Sequence, residues 1–101
     1  MQLTGREKEK LKRELTMCLK NEPEIQKIVI FGSFIATDSP HDIDIAIFQN
    51  SDQPYLPLAL KYRRITRAVS RKIPLDILPL KSGASGFILA EIAQGEVIYE
   101  R

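Results

Sequence analysis

The sequence holds one cysteine, Cys18, and one histidine, His41. A lone cysteine excludes an intramolecular disulfide and any multi-cysteine metal site. A lone histidine leaves no room for a His-rich zinc centre. No apolar run approaches the roughly eighteen residues that a membrane span requires. Residues 1–10 are charged and lack the apolar centre of a signal peptide. These absences lead us to expect a cytoplasmic protein in a reducing compartment, with no membrane contact. Charge of one sign is scarce too. With 15 Lys and Arg against 13 Asp and Glu, the net charge of +2 is too small to argue for nucleic-acid binding. There is no internal repeat and no low-complexity tract.

What remains is an ordinary globular composition, 44% hydrophobic and 28% charged over 101 residues. That length predicts a single domain, residues 1–101, with one modest core and little chain for a second lobe. Thr4-Gly5-Arg6-Glu7 fits a capping box. Leu11, Leu15, Cys18 and Leu19 follow at helical spacing, predicting a helix over Gly5–Lys20 with Cys18 as a buried core thiol. Asn21-Glu22-Pro23 ends it. Ile28-Val29-Ile30-Phe31 predicts a buried strand that stops at Gly32-Ser33. A loop through Asp38-Ser39-Pro40 leads to a second strand, Asp42–Phe48.

Leu58, Tyr62, Ile65 and Val69 mark one amphipathic helix over about Leu56–Arg71. Its outer surface is basic, with Lys61, Arg63, Arg64, Arg67, Arg71 and Lys72. A solvated face is the expectation there, with triphosphate, a nucleic-acid acceptor or an acidic partner as alternatives. Ile73–Leu80 reads as a third strand with prolines near its ends. Ser82–Ser85 opens a last helix, Gly95 closes it, and Glu96–Glu100 adds a terminal strand. One sheet with covering helices is an α+β (α/β two-layer) arrangement.

Asp42 and Asp44 project from one face of their strand, about 7 Å apart along it. Ile43, Ile45 and Ile47 take the other face. Two carboxylates set into an apolar strand are costly unless a cation neutralises them. Asp76 sits in an equivalent setting, Leu75-Asp76-Ile77, and a neighbouring strand would bring it beside the pair. Three carboxylates make an all-oxygen site suited to magnesium or manganese. Two such ions about 4 Å apart can activate an attacking oxygen and stabilise leaving pyrophosphate. Gly32 and Ser33, directly after a strand, supply amides and a hydroxyl for phosphate oxygens. His41 precedes Asp42 and is expected to face solvent, and Asp38 needs no role beyond its turn.

Phe31-Gly32-Ser33, eight residues, Asp42-Ile43-Asp44-Ile45-Ala46-Ile47 and then Asp76 together resemble the DNA polymerase beta-type nucleotidyltransferase signature. The small size resembles the minimal nucleotidyltransferases within that superfamily. The resemblance implies a mixed sheet flanked by helices, the polymerase-beta-like fold. It implies Asp42 and Asp44 as metal ligands, Asp76 as third carboxylate and an aid to deprotonation, and Gly32 and Ser33 as triphosphate contacts. The reaction implied is magnesium-dependent transfer of a nucleoside monophosphate, AMP from ATP foremost, to an acceptor hydroxyl. The stretch between Ser33 and Asp42 is shorter than the family's usual one. A glycine is missing around Thr37, and an arginine near Phe34.

Such proteins are often paired with a helical HEPN partner as antitoxin and toxin. The alternatives to a free-standing transferase are therefore an antitoxin that neutralises a HEPN toxin by complex formation, and a nucleotide-binding domain without catalysis. An exposed sheet edge would also allow a homodimer.

Overall fold

The computed structural model describes residues 2–81 and 88–101. A capped helix, α1 (Gly5–Leu19), leads into β1 (Ile25–Phe31) and a single turn, α2 (Ser33–Ala36). Next come β2 (Ile43–Gln49), α3 (Tyr55–Ile65), α4 (Arg67–Ser70) and β3 (Leu75–Lys81). The chain closes with α5 (Ile88–Ala93) and β4 (Glu96–Glu100). The capping box forms as expected. Thr4 Oγ1 accepts from the Glu7 amide at 3.1 Å, and Glu7 accepts from the Thr4 amide at 2.9 Å.

The four strands order as β3-β2-β1-β4. β1 pairs antiparallel with both β2 and β4, whereas β2 and β3 are parallel, so the sheet is mixed. Parallel neighbours need a crossover connection, and α3 and α4 provide it. Strand alternation then divides the core in two. Ile28, Ile30, Ile43, Ile45, Ile47 and Ile77 pack with α1 and α3 through Leu11, Leu15, Leu19, Leu58 and Tyr62. On the opposite face Val29, Phe31 and Ala46 pack with Ile92 of α5.

The structure corrects several expectations. The basic helix is not continuous. It breaks at Thr66, which is fully buried and donates its hydroxyl to the Tyr62 carbonyl at 2.7 Å. That bond gives the backbone an alternative to further helix. Asp42 lies just ahead of β2 rather than inside it, and β1 starts three residues earlier than its apolar run. Cys18 is half-buried at the margin of the core rather than enclosed.

Gly95 does follow the last helix, its amide donating to the Ile92 carbonyl at 2.9 Å. Its φ is not positive, however. Glycine is needed there because a Cβ would collide with the Ile30 carbonyl and press on Phe31 of β1. The Ser82–Ser85 helix opening lies outside the described residues. No helix among the described residues is long and apolar enough to cross a membrane.

Candidate active site

Three strands set the site as a row. Phe31, the last residue of β1, pairs with Asp44 on β2, and Asp44 pairs with Asp76 on β3. Side-chain alternation puts Asp44 and Asp76 on the face that carries α5, away from the larger core. Asp44 is half-buried and Asp76 is exposed on its edge strand. Asp42, half-buried, enters from the residue before β2.

These acids are electrostatically coupled. Burial pushes the Asp44 carboxyl above its ordinary value, and the charges of Asp42 and Asp76 push it further. A hydrogen bond with Asp76 and the charge of Glu91 act in the same direction. No lysine or arginine among the described residues forms an ion pair with the three aspartates. The cluster is grouped without being closed: among the described residues no three His, Cys, Asp or Glu side chains converge into a ready metal-holding group.

Gly32 completes the row. Its backbone lies at φ 76 and ψ −148, the one positive φ among the described residues. This region is essentially restricted to glycine. A Cβ at Gly32 would also collide with the Asp44 carboxylate. The turn therefore touches the acid that sits deepest among the three. Beyond it, the Gly32 carbonyl accepts from the Ile35 and Ala36 amides at 3.1 and 3.2 Å. The Ser33 and Phe34 amides and the Ser33 hydroxyl have no partner among the described residues. First-turn amides of this kind are free to bind anions.

Two contributors went unseen in the sequence. Lys8 of α1 donates through Nζ to the carbonyls of Phe34, at 2.7 Å, and Thr37, and it lies 5.2 Å from the centre of the Phe34 ring. It thereby ties down the far end of α2. Its only sequence signal was a lysine on a polar helix face, which many exposed lysines share. Glu91 of α5 adds negative charge near Asp44. Glu91 and Gln94 also line a cleft of about 360 Å3 with Gly32, Ile35 and Ala36. His41 and Asp38 are exposed, and Asp38 takes part through its carbonyl, which accepts from the Leu3 amide at 2.7 Å.

The family described as Polymerase beta, Nucleotidyltransferase matches residues 13–101, a span that takes in the Gly32-Ser33 turn and all three aspartates. The chain belongs to the polymerase beta nucleotidyltransferase family. Solved structures share the fold of this nucleotidyltransferase. One is the complex of tri-AMPylated Shewanella oneidensis HEPN toxin with MNT antitoxin, at TM-score 0.65 and 20% identity, covering 93% of this chain and 73% of that one. The toxin–antitoxin MntA-HepT matches at TM-score 0.62 and 18% identity, over 92% and 73% of the two chains. A toxin–antitoxin structure with AMP-PNP matches at TM-score 0.65 and 21% identity, over 89% and 73%. Among curated proteins none matches the chain. The mixed sheet expected from the resemblance is thus the family's fold in this nucleotidyltransferase.

Proposed function

We propose that residues 1–101 work as one minimal domain that transfers AMP from ATP to a hydroxyl group on a HEPN-type partner protein. Magnesium would be held by Asp42, Asp44 and Asp76. The observation that carries this reading is the row Phe31, Asp44, Asp76 across three strands, with Gly32 packed against the Asp44 carboxylate. ATP as donor is supported by the AMP-PNP found with one similar structure. A protein acceptor is supported by the tri-AMPylated HEPN toxin of another. A cytoplasmic location goes with this reading, since ATP and magnesium are both at hand there.

The donor set fits magnesium. It is all oxygen, which hard divalent cations prefer. A cation there would also relieve the repulsion that raises Asp44. Bound there as two ions, magnesium would neutralise phosphate charge and polarise the attacking and leaving oxygens.

The chain's own groups do the rest. The Ser33 amide and hydroxyl, on a half-buried residue, donate to phosphate oxygens. Asp76, the exposed carboxylate on an edge strand, can be reached by an acceptor from outside and takes the proton of its hydroxyl. The acceptor oxygen then bonds to the α-phosphorus. The bond from that phosphorus to the oxygen bridging to the β-phosphate breaks, and pyrophosphate leaves.

One observation favours a second reading, binding without catalysis: the open arrangement of the three carboxylates. Thermal unfolding with each NTP, with and without magnesium, beside an Asp42→Asn/Asp44→Asn variant tests the nucleotide site that both readings share, and AMP transfer separates them. A ligand at 100 times its Kd adds about 2.7 kcal/mol, several degrees for a domain of this size. Magnesium-dependent stabilisation by ATP that the variant lacks is the expected result. Labelled AMP appearing on a HEPN partner would complete the case. ATP binding with no transfer to that partner would leave the non-catalytic reading.

A further inference from the structure

We propose that the groove between α3–α4 and the free edge of β3 docks an acidic, extended segment of the acceptor protein, an inference that rests on the transferase reading above. The break at Thr66 makes the groove. Arg63 and Arg64 end α3 and Arg67 begins α4, all three exposed. They rim a space of about 300 Å3 whose floor is Leu60, Leu75 and Ile77. No carboxylate lines it, and the ion pairs among the described residues use Lys12, Lys61 and Lys72 instead. Three guanidinium groups over an aliphatic floor, without counter-charge, attract an acidic partner and orient it.

The edge of β3 gives that partner a backbone to pair with. Ile43 donates its amide to the Pro74 carbonyl at 2.9 Å, so Pro74 faces β2. Backbone groups of successive strand residues alternate in direction. Leu75, Ile77 and Pro79 therefore turn theirs outward, where no strand among the described residues pairs with β3. Pro79 has no amide hydrogen to offer and Ile77 is only 3% exposed, so the edge is reached at half-buried Leu75 and stops there. Proline is tolerated on an outward-facing edge and limits further pairing.

An extended segment paired at Leu75 would lie directly beside Asp76. Addition of an extended segment to a sheet edge is a recurrent mode of peptide recognition, with pockets that read alternate side chains. Acidic residues on the face of such a segment that points toward α3 and α4 would meet the arginine rim. Leu56 and Leu60 extend the apolar surface along α3, at 62% and 50% exposure. A nucleic acid fits less well, because among the described residues no aromatic side chain lines the groove for bases to stack on.

The test uses short fluorescein-labelled peptides of alternating Glu and Val or alternating Lys and Val, beside a labelled oligouridylate. Binding is read by anisotropy to the unmodified chain and to an Arg63→Glu/Arg67→Glu variant. The Glu–Val peptide should bind, the Lys–Val peptide should not, and the variant should bind at least about tenfold more weakly. The Leu75 amide should gain protection from hydrogen exchange when the Glu–Val peptide is present. Magnesium-dependent stabilisation by ATP should be unchanged in the variant, showing it folded with its nucleotide site intact.

Three results would overturn the proposal: no binding of the Glu–Val peptide, equal binding by the variant, or tighter binding of oligouridylate that the variant loses. Absence of ATP stabilisation in the unmodified chain would be a failure of the transferase reading. Loss of peptide binding alone would be a failure of this one.

Discussion

Gly32→Ala tests the contact on which the site is built. Alanine at φ 76 and ψ −148 enters a region where a non-glycine residue costs about 1–3 kcal/mol. For a domain of this length each kcal/mol lowers the midpoint by roughly 4–8 °C, so backbone strain alone predicts a fall of about 4–24 °C. The new methyl group would also overlap the Asp44 carboxylate, which must move out of its place. Transfer should then collapse further than the loss of folded protein explains.

A double-mutant cycle separates the two effects. In an Asp44→Ala background the overlap is gone and only the strain remains, so Gly32→Ala should cost less there than in the unmodified chain. Coupling between residues in contact is typically about 0.5–3 kcal/mol. Urea unfolding of the four proteins gives the coupling, and AMP transfer by Gly32→Ala gives the catalytic loss. Equal costs in the two backgrounds, or an active and fully stable Gly32→Ala, would refute the contact.

Two further outcomes follow from the charges. Asp44 is held above its ordinary value, first by burial and then by its acidic neighbours. Its ionisation at neutral pH therefore works against folding, and without magnesium Asp44→Asn should melt higher than the unmodified chain while losing transfer; a lower melting point would contradict this. Burial pushes Glu24 up, but a backbone hydrogen bond, Lys61 and the Tyr62 hydroxyl at 2.9 Å outweigh it and hold the carboxyl below its usual 4.5. A depressed carboxyl stabilises above its unfolded value and loses that contribution as pH falls through the folded one. The stability gap to Glu24→Gln should thus be constant above about pH 5 and shrink below pH 4.5, and denaturant titrations showing a flat gap down to pH 3 would count against it.

Much of this protein was readable from local signals. The capping box at Thr4 and Glu7, the period-two alternation through Ile43, Ile45 and Ile47, and the turn at Gly32-Ser33 each depend on residues within a few positions of one another. Propensity and periodicity act at that range. The three aspartates were conspicuous because charge inside apolar strand runs is unfavourable without a use.

Tertiary structure decided what depends on distant partners. The register that sets Asp76 beside Asp44 is a pairing between strands joined by two helices, and no local pattern specifies it. The same holds for the strand order, the charge of Glu91 near Asp44, and the bonds from Lys8 to α2. Thr66 reads as a tolerable helix residue until its hydroxyl is buried against Tyr62, where the backbone bends and separates α3 from α4. Gly95 reads as a helix terminator, yet its lack of a side chain matters because β1 passes too close for a Cβ. The sequence by itself determined which chemistry the chain carries and on which strand faces. Long-range packing decided which of those groups meet, because the energy of a contact depends on what lies opposite, and a linear neighbourhood does not contain that.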